Sequence, residues 1–240
     1  MRLEKLLAGM KYGSRKTIKA AIRAGRVMVN DRLPVSENTT VDPETDRILF
    51  DGVPVGYKNH VVLMMNKPAG VLSSTYEPKD KTVMDLLDEP YCRLNLNIAG
   101  RLDRDTEGLL LLVQDGQTLH QIISPAKGVT KTYAVTLSMP ITSLEAIRQG
   151  VWIQDGKGEP FLTKPAHVEI MDATHCLVTI SEGRFHQVKR MFQAISLEVI
   201  ALKRVAIGSL SLDPALSLGE YRELTESEIA AIFENPHETR

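Results

Sequence analysis

Residues 100–113 read GRLDRDTEGLLLLV, and this stretch constrains the fold more than any other. A polar, multiply charged loop runs straight into Leu109–Val113, a short continuous apolar run of the kind that forms a strand buried on both faces. Asp103 therefore lies a few residues from the core, in a turn whose position the following strand fixes. A carboxylate held there loses hydration and needs a partner to stay ionised. Arg101 and Arg104 are the local candidates. So placed, Asp103 can serve as a nucleophile or an acid–base group. Plainer readings stand beside this one. Asp103 can cap a turn, as most loop aspartates do. Asp103, Asp105, Glu107 and Gly108 imitate the opening of a calcium loop, but Gln114 stands where the closing bidentate Glu belongs and leucines fill the ligand positions. A merely solvated charged face is disfavoured by the buried run next door.

A chain of 240 residues has room for one large domain or two unequal ones. Its apolar stretches reach about five residues, against the ~20 that span a membrane. The N-terminal MRLEKLLAGMKYG lacks the apolar core and cleavage site of a signal peptide. A cytoplasmic protein is expected, with Cys92 and Cys176 as reduced thiols. Neither the cysteines nor the scattered histidines have metal-ligand spacing, so no metal and no cofactor are expected.

The charge is segregated. Residues 1–32 carry nine Lys or Arg against two acidic residues, a net +7, while the remainder is −8. Leu3, Leu6 and Leu7 mark one face of a short helix that Gly13 ends, and Ser14 is a natural N-cap for a second. That second helix buries Ile18, Ala21 and Ile22. Its other face carries Arg15, Lys19 and Arg23, with Lys16 and Arg26 nearby, a stripe that can follow a phosphate backbone. Val27–Val29 and Arg47–Phe50 read as strands between turn signals. Two basic helices followed by VMVND and a small sheet resemble the RNA-binding domain first seen in small-subunit ribosomal protein four. The division expected is an RNA-binding domain with its linker over residues 1–57 and a catalytic domain over residues 58–240. Residues 51–60, DGVPVGYKNH, read as the linker.

Further along, Val61–Met65 reads as a strand closed by NKPAG, Thr82–Leu87 as a short helix, and Gln117–Ile123 as another. Lys131 opens the strand TYAVTL, with Tyr133, Val135 and Leu137 on one face. A half-buried Tyr is usually core, so packing is the plain reading of Tyr133 in isolation. Ile141–Gly150 is expected as a helix, and Ala166–Met171 with Cys176–Ser181 as a hairpin. In Glu182–Ile195 the spacing of Phe185, Val188, Met191, Phe192 and Ile195 predicts a helix. Arg184, His186, Lys189 and Arg190 near its start oppose its dipole, which hints at an anion opposite. His186 itself reads as structural in preference to RNA-orienting. Strands at Glu198–Leu202 and Ala206–Leu212 precede a last helix with a Thr225/Glu228 capping box. The class is α+β.

Four blocks, NKPAGVLSS (66–74), GRLDRDTEGLLLL (100–112), KTYAVTL (131–137) and SEGRFHQVKRMF (181–192), together resemble the pseudouridine synthases of the RsuA type, the ribosomal small-subunit class. A fifth, LKRVAIG (202–208), fits the segment that closes the site in that family. LTKPA (162–166) and the ending GEYRELTESEIA resemble its small-subunit branch. The resemblance implies a small helical/β RNA-binding domain before a catalytic domain built on a mixed, mostly antiparallel sheet with flanking helices. It implies breakage of the N-glycosidic bond of a uridine, rotation of the base and reattachment through carbon, with no cofactor consumed.

The residue roles that follow are likewise implied by the resemblance. Asp103 is the catalytic residue, Lys189 the basic residue whose ammonium pairs with it and Tyr133 the ring against the target base. Leu202 is a pocket wall, and Arg101 and Arg184 bind substrate. The partner implied is ribosomal RNA, foremost that of the small (16S) subunit, or an assembly intermediate, met by a monomer and at no membrane. A large-subunit enzyme of the same family is the near alternative. A catalytically silent RNA-binding or assembly factor is the rival class, and it would tolerate loss of Asp103, Tyr133 and Lys189. A nuclease or glycosidase with paired carboxylates is weaker, because Asp105 and Glu107 lie outside the matched catalytic positions.

Overall fold

The computed structural model describes residues 1–34, 36–154 and 156–235, so the last five residues of the expected catalytic domain lie outside it. The chain forms two compact units, Met1–Val61 with Met84–Leu96, and Val62–Val83 with the chain from Asn97 onward.

In the first unit, α1 (Leu3–Gly9) and α2 (Arg15–Arg23) pack through Leu3, Leu6, Leu7, Ile18, Ala21 and Ile22, all buried. α1 stops before Gly13, and Lys11 already has a positive φ of 56°. α2 starts where its cap predicts, with the Thr17 amide donating to Ser14 Oγ at 3.2 Å. β1 (Val27–Val29), β2 (Ile48–Phe50) and β3 (Val53–Pro54) form an antiparallel sheet in that order. β3 lies inside the stretch read as a linker. Asp51 and Gly52, at φ of 51° and 78°, supply the two positive-φ residues of a tight hairpin. Residues 84–96 also pack here. Lys11 Nζ donates to the carbonyls of Cys92 at 3.2 Å and Leu94 at 3.0 Å, and Arg93 stacks over Tyr12 at 4.2 Å. A unit built from two separate segments leaves no single linker in the sequence, which is why a division at residue 57 missed this piece.

The second unit is organised on a nine-stranded mixed sheet. Its strands are β4 (Val62–Lys67), β5 (Asn97–Ala99), β6 (Glu107–Val113), β7 (Lys131–Leu137), β10 (His167–Ile170), β11 (His175–Ile180), β12 (Val199–Ile207), β13 (Leu210–Ser211) and β14 (Tyr221–Glu223). The order is β10-β11-β7-β12-β6-β4-β14, with β5 on β6 and β13 on β12. Every pairing is antiparallel except β12 with β6. β6 is buried along Leu109–Val113 on both faces, as its sequence requires. Two apolar clusters lie on either side of the parallel seam. One gathers Val135, Val178, Met191, Phe192 and Leu202, the other Met64, Leu109, Leu111, Ile122 and Ile207.

The flanking helices are α3 (Gly116–Ile123), α4 (Glu145–Gln149), α5 (Gln187–Ala194) and α6 (Glu226–Ala231). α6 carries the expected capping box, with Thr225 N donating to Glu228 Oε2 at 2.8 Å and Glu228 N to Thr225 Oγ1 at 3.3 Å. Two expectations are corrected. α4 is half the expected length, beginning only at Glu145 and ending at Gly150, where a Cβ would meet the Thr163 carbonyl at 2.4 Å. The two strands expected at Glu198–Leu202 and Ala206–Leu212 divide elsewhere: β12 runs on through residues 203–205 to Ile207, with register shifts at Val199/Ala201 and Arg204/Ala206, and only Leu210–Ser211 forms the separate β13. A short hairpin of β8 (Trp152–Gln154) and β9 (Pro160–Leu162) was not anticipated, because three-residue strands leave no readable alternation.

Candidate active site

The parallel seam brings the start of β6 beside the middle of β12, with Glu107 opposite Lys203 and Gly108 opposite Arg204. The approach is so close that a Cβ on Gly108 would stand 2.2 Å from the Arg204 carbonyl oxygen, and Gly108 has φ of 101°. The loop before β6, which carries Asp103, is thereby set against β12 and its neighbour β7.

Two buried cations hold that loop at its ends. Lys67, with no exposed surface, donates from Nζ to the carbonyls of Pro68 at 3.0 Å, Arg104 at 3.3 Å and Thr106 at 3.0 Å. All three ammonium protons are used. Burial pushes its pKa down to about 8, against the opposing pull of the nearby Asp105, Asp103 and Glu107. Arg204, also buried, donates from Nε to the Leu109 carbonyl and from Nη2 to the Gly100 carbonyl, both at 2.7 Å. Ser73 adds a third tie, its Oγ donating to the Leu102 carbonyl at 2.8 Å.

The loop forms one wall of a cleft of about 980 Å³, within the size range of sites that enclose small molecules. Asp103, Tyr133, Leu202, Arg101 and Arg184, all singled out in the sequence, line it together. Tyr133 is half-buried, packing on the apolar cluster of β7 and α5 while facing the cleft, so the plain core reading covers only part of its surface. Leu202 is buried in the wall and Arg101 is exposed at the margin. Arg184 stacks over the Phe161 ring at 4.2 Å.

Lys189 reaches Asp103 from outside this lining. Its Nζ is 3.6 Å from Asp103 Oδ2 but 2.5 Å from Asp105 Oδ1. The hydrogen bond from Lys189 holds the Asp105 carboxyl below the usual carboxylate range. The local arginines do not take this place: Arg104 turns to Asp80 at 2.9 Å and the Gly70 carbonyl at 3.2 Å.

α5 begins later than its spacing suggests. His186 has φ of 49°, so helix starts only at Gln187, and Arg184 and His186 belong to the preceding loop. The break is stabilised by Gln187, whose Oε1 accepts from the Arg184 amide at 2.9 Å and whose Nε2 donates to Glu182 at 2.7 Å. His186 is thus not a core histidine. It lines the cleft with Nε2 3.3 Å from Asp103 Oδ1.

Lys67, Arg204, His186 and Lys131 were not identified as site residues in the sequence. Lys131 lines the cleft, donates to the Val129 carbonyl at 2.6 Å, and is pushed down to about 8 by burial with help from the Arg204 charge. All four lie within the blocks quoted above, but nothing in residue spacing says that a cation inside an apolar strand points to backbone carbonyls.

On the first unit, Arg15 and Lys16 of α2 are exposed. Lys19 and Arg23 both engage Glu37, at 3.7 and 2.5 Å, and Arg26 makes a forked pair with Asp51 at 2.7 and 2.5 Å.

Residues 61–194 match the family model described as RNA pseudouridylate synthase. An uncharacterized RNA pseudouridine synthase of Bacillus subtilis (strain 168) is 47% identical over 240 residues, covering 98% of this chain and 99% of that protein. Ribosomal small subunit pseudouridine synthase A of Escherichia coli (strain K12) is 43% identical over 235 residues, covering 97% and 100%. A solved structure described as a pseudouridylate synthase superposes with a TM-score of 0.68 at 39% identity, covering 97% of this chain and 99% of that one.

Proposed function

Because the chain belongs to the RNA pseudouridylate synthase family, and is an isomerase acting on RNA, we propose that it converts a uridine of small-subunit ribosomal RNA to pseudouridine with Asp103 as the catalytic carboxylate. The observation that carries this reading is the placement of Asp103: it lines the cleft on a loop fixed by Lys67 and Arg204, with Lys189 and His186 against its two oxygens. The small-subunit substrate is supported by the near full-length likeness to the Escherichia coli enzyme of that name.

The target uridine leaves its stack and enters the cleft, at a cost of a few kcal/mol. Asp103 then acts on the ribose. Whether it attacks the sugar or removes a sugar proton, the Lys189 ammonium stands 3.6 Å from its Oδ2 as the charged neighbour. The glycosidic bond breaks, the freed uracil turns against the Tyr133 ring with Leu202 as a wall, and carbon takes the place of nitrogen. Tyr133 can stack on the base and relay the final proton through its hydroxyl. Arg101 and Arg184 bind flanking phosphates.

Residues 1–57, through Arg15, Lys16, Lys19, Arg23 and Arg26, serve as an RNA-binding domain like that of ribosomal protein four, and their phosphate contacts offset the flipping cost. The catalytic domain is the rest of residues 58–240 without the segment 84–96, which packs in the first unit, in a cytoplasmic monomer. Mapping pseudouridines in ribosomal RNA from cells with and without this gene tests the proposal. Loss of one small-subunit pseudouridine is the expected result. A loss confined to large-subunit RNA would move the substrate assignment, and no loss at all would favour a silent assembly factor.

A further inference from the structure

Three observations meet at His186. Its Nε2 lies 3.3 Å from Asp103 Oδ1, closer than the Lys189 ammonium at 3.6 Å from Oδ2, and that ammonium is drawn to Asp105 at 2.5 Å. Its backbone has φ of 49°, in the left-handed region that histidine enters more readily than most side chains, and this ends the loop just before the helix begins at Gln187. Its ring is stacked on Phe185, with centroids 3.8 Å apart and planes 21° from parallel.

Neighbouring side chains hold this turn in place. Gln187, itself buried, brackets the turn through the Arg184 amide and Glu182. The Arg190 guanidinium also lies 4.9 Å from the Phe185 ring centroid, and Phe185 lies against Gly156. A histidine that only filled space would not need a ring nitrogen within reach of a carboxylate in an open cleft.

We propose that His186 is a positioning residue for the isomerisation: its Nε2–H holds Oδ1 of Asp103 and so orients the carboxylate toward the bound nucleotide. Lys189 and His186 then divide the work. The ammonium, anchored on Asp105, supplies charge. The imidazole, fixed in plane by Phe185, supplies direction. A contact of 3.3 Å is long for such a bond, and contacts of this kind tighten when the substrate closes the site.

The inference rests on the reading of Asp103 as catalytic, so Asp103→Asn is tested in parallel. The informative variants are His186→Gln and His186→Asn. Gln carries an N–H donor to about the position of Nε2, whereas Asn tolerates positive φ but its amide is too short to reach Asp103. Single-turnover rate at saturating RNA, RNA affinity and melting temperature are measured for each. The expected result is that Asn loses about 100-fold in rate, the usual scale for a misplaced catalytic group, with affinity and melting temperature unchanged. Gln is expected to stay within about tenfold of the parent. A parental rate for Asn overturns the proposal, and so do equal losses in Gln and Asn. If Asp103→Asn is inactive while His186→Asn keeps its rate, only this inference falls. If Asp103→Asn is active, the reading beneath it falls.

Discussion

The ammonium of Lys67 and the carbonyl of Thr106 lie 3.0 Å apart, and Lys67 has no surface exposed to solvent. A charge so placed is retained for the backbone it organises, here the loop that carries Asp103. Lys67→Met removes the charge and leaves the Pro68, Arg104 and Thr106 carbonyls without this donor. A loss of about 3 kcal/mol is expected, since each buried acceptor left unpaired costs about 1–3 kcal/mol.

The pH dependence follows from the same group. Its folded value of about 8 lies below its ordinary 10.5, so the unfolded chain binds more protons between those limits. Stability therefore rises with pH across that window, and the contribution is lost as pH falls back toward 8. Lys131, also at about 8, adds to the same limb. Denaturant melts of the parent and Lys67→Met between pH 7.5 and roughly 10 should show a shallower rise for the variant. Identical slopes would mean that Lys67 titrates alike in both states.

Lys189 is shared unequally between two carboxylates, and the two should respond differently to change. Lys189→Met should lower the isomerisation rate by about 100-fold, because Asp103 loses its charged neighbour. It should also return the Asp105 carboxyl toward its usual range, which carboxyl NMR titration reads directly. Asp105→Asn leaves Lys189 free to close on Asp103 and should cost less than tenfold. A larger loss in Asp105→Asn than in Lys189→Met would reverse the roles given to the two acids.

Glu37 competes with phosphate for Lys19 and Arg23. If the α2 stripe binds RNA, Glu37→Gln should tighten binding and steepen its salt dependence, by roughly one unit of slope per cation released. Neutralising Arg15, Lys19 and Arg23 together should do the opposite and leave the rate at saturating RNA intact. Salt titrations of RNA affinity decide. No change in either variant would show that this face does not meet the RNA.

What could be read from the sequence was local or periodic. Ser14 and the Thr225/Glu228 box marked helix starts because capping is a contact between residues three apart. Leu109–Val113 marked the central strand because burial on both faces leaves no polar position. The loop–strand junction at Asp103 was legible for the same reason. Contacts across long separations were not: Lys67 with Thr106, Arg204 with Gly100, and His186 with Asp103 join residues that no spacing relates. The start of α5 was misread because a 3.6-residue period continues smoothly through His186, whose φ breaks the helix. Residues 84–96 were misplaced because membership of a packing unit is a property of the folded chain.

Tyr133 touches both the core and the cleft, so two substitutions separate its roles. Tyr133→Phe keeps the ring and removes the hydroxyl. Tyr133→Leu removes both. A proton relay predicts that Phe binds RNA normally and forms little pseudouridine. Stacking alone predicts near-parental activity for Phe, with Leu losing affinity and rate together. Altered melting with unaltered rates in both would take Tyr133 out of the site.

The most direct test is a single-turnover assay of Asp103→Asn on small-subunit ribosomal RNA, read as pseudouridine formed per RNA bound. Asn preserves the shape of the side chain, so RNA affinity and melting temperature should match the parent. The prediction is that pseudouridine formation is abolished while both are retained. Product at a near-parental rate from the bound, folded variant would contradict the assignment of Asp103 as the catalytic carboxylate.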